Sequence, residues 1–204
     1  MRKKSFVIGI TGSTGSGKTT FALRLKKAIG EAVVLSSDRY YKDQSHLPLS
    51  LRLKENMDQP SAFDNELLER DIEKLAQGKS IHAPFYDFLT HTRKKKTEVL
   101  KSKPVVIVEG LLLFVPPKLR SLFDLRIFLV VDSDLRVCQR ILRDVRENRN
   151  GSVEKAIEQY LFSARPMDKV FVQPQKRYAD LIIDWNNKDE RKIESLARLI
   201  LGRR

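Results

Sequence analysis

Short apolar runs alternate along this chain with longer stretches in which apolar residues recur at helical spacing. The runs 6–10, 32–35, 105–108, 125–131 and 181–183 are dominated by Val, Ile, Leu and Phe, the pattern of parallel strands buried on both faces. Helical periodicity covers 18–29, 64–77, 117–122, 133–147, 153–163 and 190–201, and several of these stretches open on Ser, Asp or Asn at an N-cap position. Such alternation predicts an α/β fold: a five-stranded parallel sheet, helices on both faces, and a ligand crevice at the carboxyl ends of the strands. The segment 44–97, between the second and third of these strands, is longer than a simple crossover. Within it 80–88 alternates and carries Pro84, so it reads as an edge hairpin and not as a central strand. An insertion of this kind is expected to shape a substrate site.

Length and composition narrow the class. The 204 residues fit one domain, 1–204, large enough to bury a core without disulfides or metals. A lone cysteine, Cys138, leaves no intrachain disulfide, the N-terminus Met1-Arg2-Lys3-Lys4 runs directly into the first strand, and no apolar run reaches membrane-span length. A soluble cytoplasmic protein without membrane contact is the expectation. The formal charge of +13, from 39 Lys and Arg against 26 Asp and Glu, admits nucleic acid, anionic membranes or small polyanions as partners. Part of the excess lies at 2–4 and 203–204, and part in Arg93-Lys94-Lys95-Lys96 between polar or turn-like segments. These runs lack interleaved aromatics, so a solvated basic surface is the simpler reading and nucleic acid is not the expected partner. His46, His82 and His91 show no metal-ligand spacing with Cys138 or with one another, which argues against zinc.

The most specific chemistry lies in Gly12-Ser13-Thr14-Gly15-Ser16-Gly17-Lys18-Thr19, followed by Thr20. The pattern G-x-x-x-x-G-K-[ST], set between a strand and a helix, is a phosphate-binding loop. Its glycines turn successive backbone N–H groups inward around a polyphosphate, and the next helix points its N-terminal dipole at the same charge. Lys18 then reaches the β- and γ-phosphates, and the Thr19 hydroxyl serves Mg²⁺. The loop leaves the fate of the γ-phosphate open.

Other residues bear on that fate. Asp38 follows the second strand, where a carboxylate suits a general base for an attacking alcohol; a helix N-cap is the competing role. Glu109 ends the third strand beside Gly110, which places a carboxylate at the metal held by Thr19, since a buried acid needs a metal or another partner. On a helical wheel of 133–147, Arg136, Arg140 and Arg143 form one stripe and Val137, Cys138, Ile141, Leu142 and Val145 the opposite arc. The expectation is a helix packed on its apolar side that presents arginines as a lid over phosphates; a solvated arginine face has the same pattern. Tyr86, Phe88 and His91 could stack on and hydrogen-bond a base, or pack a core.

Taken in order, these segments resemble the uridine kinase (uridine–cytidine kinase) family of P-loop nucleoside kinases over nearly the whole chain. The resemblance rests on 12–20, 37–43, 56–64, Tyr86-Asp87-Phe88 with His91-Thr92-Arg93, Glu109-Gly110, Arg140 with Arg143-Asp144, Gln159-Tyr160, and Pro174 with 176–180. It implies phosphorylation of the 5′-hydroxyl of uridine or cytidine from ATP (or GTP) with Mg²⁺, in pyrimidine salvage. It implies Asp38 as base, with Lys18, Arg140 and Arg143 in catalysis, and Thr19 and Glu109 as metal ligands. Asp58 and Arg140 would bind the ribose hydroxyls, Tyr86 and His91 would read the pyrimidine with Phe88 against it, and Gln159 would complete the pocket. Residues 133–152 would form the lid region, and the resemblance implies a homo-oligomer, commonly a tetramer. The chain departs from the family pattern at Met57, where an aromatic is usual, at Gln139, where an arginine is, and at Gln173, where an acid is common. It also departs at Arg149-Asn150-Gly151, where Arg-Gly-Arg is usual. A phosphoribulokinase-like or other small-molecule kinase, and a nucleotide-binding module with a polyanion-binding surface, are the alternatives.

Overall fold

The computed structural model describes residues 4–202 apart from 53, 148 and 150. Arg2, Lys3, Arg203 and Arg204 of the basic ends, and Asn150 of the departing motif, lie outside the described residues. Five strands form one parallel sheet: β1 Phe6–Gly12, β2 Ala32–Ser36, β5 Val105–Glu109, β6 Leu125–Val130 and β7 Leu181–Asp184, in the order β2-β5-β1-β6-β7. The register pairs Ile10 with Glu109 and Ser36 with Glu109. The loop after β1, the acid that ends β5 and the turn after β2 therefore emerge side by side at the carboxyl edge, where open parallel sheets bind ligands.

Every residue of β5 is buried, because a strand central in a parallel sheet is covered on both faces. Strand alternation divides its side chains. Val105 and Ile107 join Ile8, Ile10, Phe21, Leu25 and Trp185 beneath α1 Lys18–Ile29 and α8 Glu190–Gly202. Val106 and Val108 join Val7, Leu68, Ile72, Leu75 and Phe114 beneath α3 Asn65–Ala76 and α4 Pro117–Arg120. A third cluster, with Tyr41, Phe63, Leu111, Leu112 and Phe128 at its centre, sits at the carboxyl edge with Met57, Tyr86 and Phe88 packed on it.

The insertion holds the short helix α2 Leu49–Arg52, then α3, whose N-cap Asp64 accepts from the Leu67 N–H. It also holds β3 Ile81–Asp87 and β4 Thr92–Leu100, which form an antiparallel sheet of their own with a register shift at Pro84/Phe85. Proline supplies no N–H to a ladder, which suits it to a bulge outside the central sheet. The run Arg93 to Lys96 belongs to β4, with Lys94, Lys95 and Lys96 exposed. Strand structure follows from pairing with β3, which the composition of the run does not advertise.

After β6 come α5 Ser133–Arg146 and α6 Val153–Gln159. The periodicity ends the latter helix at 163, but helical backbone continues to Tyr178. It passes through π-helical turns at Tyr160–Ala164 and Asp168–Val172, the short α7 Arg165–Met167 and a 3-10 segment Gln173–Tyr178. Pro166 and Pro174 lack the N–H that an α-helix would use, and the adjoining turns widen to bonds five residues apart, Arg165 N–H to Tyr160 O and Gln173 N–H to Asp168 O. No helix among the described residues is long and apolar enough to cross a membrane.

Candidate active site

The loop between β1 and α1 has the backbone its glycines permit. Gly15 has φ 75° and Gly17 φ 76°, values that other residues adopt only with strain. A Cβ on Gly15 would also collide with the backbone carbonyl of Arg136, so glycine lets α5 close on the crest of the loop. The Lys18 ammonium donates to Gly12 O at 2.8 Å and Ser13 O at 3.0 Å, curling back over its own loop. Burial pushes its pKa down, against the attraction of Glu109 and Asp38.

Beneath the loop, the Thr19 hydroxyl donates to Glu109 Oε1 at 3.2 Å. Glu109 is 3 % exposed, and burial first, then the nearby Asp38 carboxylate, push its pKa up to about 7. A buried carboxylate, a hydroxyl in contact with it and a second carboxylate close by are hard oxygen donors. That donor set fits Mg²⁺.

Asp38 lies in the 3-10 turn Ser37–Tyr40, and the capping oxygen there is Ser36 Oγ, which accepts from the Asp38 N–H. The N-cap role considered for Asp38 thus falls to Ser36, and Asp38 lines the cleft beside Lys18, Thr19 and Glu109. The turn is pinned from behind by the Tyr40 hydroxyl donating to the buried Asp71 at 2.9 Å. Gly110 is required as well, since a Cβ there would overlap Ser37 Oγ.

The cleft encloses about 330 Å³ and runs from the loop to the insertion, where Met57, Asp58, Phe88 and His91 form the far wall. Asp58 Oδ2 accepts from Ser163 Oγ at 2.9 Å, and Asn56 Oδ1 accepts from both Ser163 Oγ and the Asp58 N–H. Arg140 joins the two halves: it donates to Thr14 Oγ1 at 3.0 Å and Gln159 Oε1 at 3.2 Å, and lies 3.8 Å from Asp58 and 3.4 Å from Asp144. Arg143 also lines the cleft and is held by Asp144 at 2.7 Å. His91 has φ 51°, and burial, with help from Arg52, lowers its pKa, so its imidazole is neutral at physiological pH. Tyr86 is not on the cleft wall; it packs between Tyr41 and Phe88 at ring distances of 5.1 and 5.3 Å, its buried hydroxyl without a hydrogen-bond partner.

The wheel of α5 holds, but its orientation is reversed. Arg136, Arg140 and Asp144 are the buried face, while Leu135, Cys138, Leu142 and Val145 are exposed. The expectation of a helix packed on its apolar side fails because the surface beneath it is polar: the loop crest, Asp58, Asp168 and Gln159 supply acceptors that buried guanidinium groups require. Sequence reasoning also missed Ser163, which lies four residues beyond Gln159 on the same helical arm, and Asp168, whose neighbours 165–167 carried no periodic signal.

The description of the phosphoribulokinase / uridine kinase family matches residues 7–190. The uridine kinase of Clostridium novyi (strain NT) is 40 % identical over 199 residues, covering 97 % of this chain and 95 % of its own length. The uridine kinase of Geobacillus sp. (strain WCH70) is 46 % identical over 185 residues, covering 90 % and 87 %. Phosphoribulokinase from Rhodobacter spheroides has the same fold with a TM-score of 0.66 at 17 % identity, covering 89 % of this chain and 70 % of the other. With that match over most of its length and relatives 40–46 % identical, the chain belongs to the phosphoribulokinase / uridine kinase family.

Proposed function

We propose that the protein transfers the γ-phosphoryl group of ATP, or of GTP, to the 5′-hydroxyl of uridine or cytidine. The observation that carries this reading is Arg140, one guanidinium bonded to Thr14 of the donor loop and to Gln159 of the acceptor side, with Asp58 in reach. The names of the two bacterial relatives support a uridine acceptor.

In the reaction, the bond from O5′ to the γ-phosphorus forms as the bond to the β,γ-bridging oxygen breaks, giving UMP or CMP and ADP. Asp38 accepts the proton of the 5′-hydroxyl. The inward N–H groups of residues 12–20 and the Lys18 ammonium hold the donor phosphates, and Arg140 and Arg143 face the charge that develops between donor and acceptor. Thr19 and Glu109 would hold Mg²⁺, which supplies charge neutralisation on the β- and γ-oxygens. Asp58, Arg140 and Gln159 bind the ribose. Phe88 and His91 face the pyrimidine, and Tyr86 supports Phe88 and Tyr41 from behind, its free hydroxyl available to the base after a small ring movement. Residues 133–152 act as the lid.

The setting that fits is a single-domain cytoplasmic enzyme of pyrimidine salvage, binding a small nucleoside and neither nucleic acid nor membrane. The exposed apolar side chains Leu135, Leu142, Ile157, Leu161 and the 86 % exposed Phe162 support self-association. ADP release measured with uridine, cytidine, ribulose 5-phosphate or no acceptor tests the reading: turnover that depends on a pyrimidine nucleoside is expected, and turnover indifferent to nucleoside contradicts it.

A further inference from the structure

The P-loop is held from outside by the helical arm that follows the lid. Ser13, 2 % exposed, is the second residue of the loop, and its Oγ accepts a hydrogen bond from the Gln173 side-chain amide at 2.8 Å. The same amide nitrogen donates to Asp168 Oδ2 at 3.0 Å. Asp168 Oδ2 is in turn 3.9 Å from Arg136 Nη1, and Arg136 is fixed by donating from Nε to Val131 O at 2.9 Å. The Arg136 carbonyl covers Gly15 at the crest of the loop. Ser13 and Arg136 are buried, and Asp168 and Gln173 are partly buried.

The π-helical turn makes the arrangement possible. In an α-helix, residues five apart point about 140° from one another, which would direct Asp168 and Gln173 to different neighbours. Widening at Asp168–Val172 brings them onto one side, as π-turns do where a site requires it. An amide is the residue type this junction needs. Its NH₂ offers two hydrogens, one for the serine and one for the carboxylate, whereas an acid at 173 would meet Asp168 as like against like.

We propose that Gln173 and Asp168 are positioning residues for the donor site: the Gln173 amide holds Ser13 and with it the loop's anion cradle, while Asp168 orients that amide and ties it to Arg136, so that loop and α5 receive the phosphates as one unit. The inference rests on the reading of the loop as the nucleoside triphosphate site. Asp168 is faced by Arg136 from α5 and by Lys18 from α1; the loop itself contributes only the neutral Ser13.

The test is calorimetric titration of the whole protein with a non-hydrolysable ATP analogue and Mg²⁺ at about pH 6 and about pH 8, beside a titration with uridine. Gln173→Glu sets two carboxylates against each other, so analogue binding weakens about tenfold at the higher pH and recovers at the lower, where the pair shares a proton. Uridine affinity stays within about twofold. The swapped double variant Asp168→Asn with Gln173→Glu, which exchanges amide and acid while conserving charge, restores affinity to within about threefold at both pH values. A purely structural role would lower thermal stability without this pH profile or this rescue. Should Gln173→Glu fail to fold, Ser13→Ala, Gln173→Ala and their combination replace it: equal losses of donor affinity, no greater in the double variant, support the link, and additive losses overturn it. Wild-type analogue affinity in Gln173→Glu at both pH values, or a swap no better than the single variant, also overturns it. A wild-type protein that binds no analogue removes the donor-site reading itself and this inference with it.

Discussion

The Thr19 hydroxyl donates to Glu109 Oε1 across 3.2 Å and 90 residues of sequence, directly below the phosphate-binding loop. The contact exists because β1 and β5 are parallel neighbours with Ile10 opposite Glu109, and the short phosphate-binding loop after β1 brings the first turn of α1 over the end of β5.

Glu109 makes stability pH-dependent before any metal binds. Its pKa in the folded chain is raised to about 7 by burial and by Asp38, above the ordinary carboxylate range. A raised pKa means that the folded state holds the proton more tightly, so the stabilisation is fully present below the unfolded value and is lost as pH rises through about 7. Thermal melts in EDTA should show the midpoint falling by roughly 5 °C between about pH 5 and about pH 7.5. Glu109→Gln should flatten that profile, and Mg²⁺ should raise the midpoint more at the higher pH, where it does not compete with a proton.

Asp38→Asn should lower kcat about 10³-fold while ATP affinity changes less than about threefold. Initial rates paired with titration of ATP check both halves. Near-normal turnover would remove Asp38 from the base role.

Arg140→Ala removes one partner from each of two buried carboxylates, Asp58, which keeps Ser163, and Asp144, which keeps Arg143. A stability loss of about 3 kcal/mol is expected with raised KM for both substrates. Arg140→Lys keeps the charge but loses the fork that reaches Thr14 and Gln159 together, so it should recover stability more than kcat/KM. Urea unfolding alongside steady-state kinetics separates the two effects.

Two glycines with positive φ make a useful comparison. Gly15 (φ 75°) and Gly30 (φ 81°) share that sign, but a Cβ at Gly30 meets nothing within 4 Å, whereas one at Gly15 strikes the Arg136 carbonyl. Gly30→Ala should cost about 1 kcal/mol and leave turnover intact. Gly15→Ala should also push α5 off the loop, raising KM for ATP at least about tenfold.

Much of this molecule is legible in its sequence. The five apolar runs become the five strands; continuous Val, Ile and Leu marks the central β1, β5 and β6, whereas the last run forms the edge strand β7, which exposes Ile182 and is not buried on both faces. Lys18, Thr19, Asp38 and Glu109 converge because strand ends in one register must converge. What could not be read is which way α5 faces: its arginines point inward because the acceptors beneath them come from residues 14, 58, 159 and 168, distant in sequence. The position of Tyr86 behind the cleft wall and the continuation of the arm to Tyr178 are likewise tertiary. A lone periodicity around Pro166 and Pro174 does not disclose π-turns.

The exposed apolar side chains of α5 and the arm predict an association that sedimentation can detect. Leu142 and Phe162 are 54 % and 86 % exposed, and Leu142→Asp with Phe162→Asp should shift the protein to a smaller species without loss of fold. A wild-type protein that sediments as a monomer at about 10 µM would rule out self-association of ordinary strength.

The acceptor-dependent release of ADP tests the central claim most directly. With ATP and Mg²⁺ present, uridine or cytidine should raise ADP production at least about 10²-fold over the nucleoside-free rate, with UMP or CMP formed in equal amount. Equal ADP production with and without either nucleoside, or turnover supported by ribulose 5-phosphate alone, would contradict it.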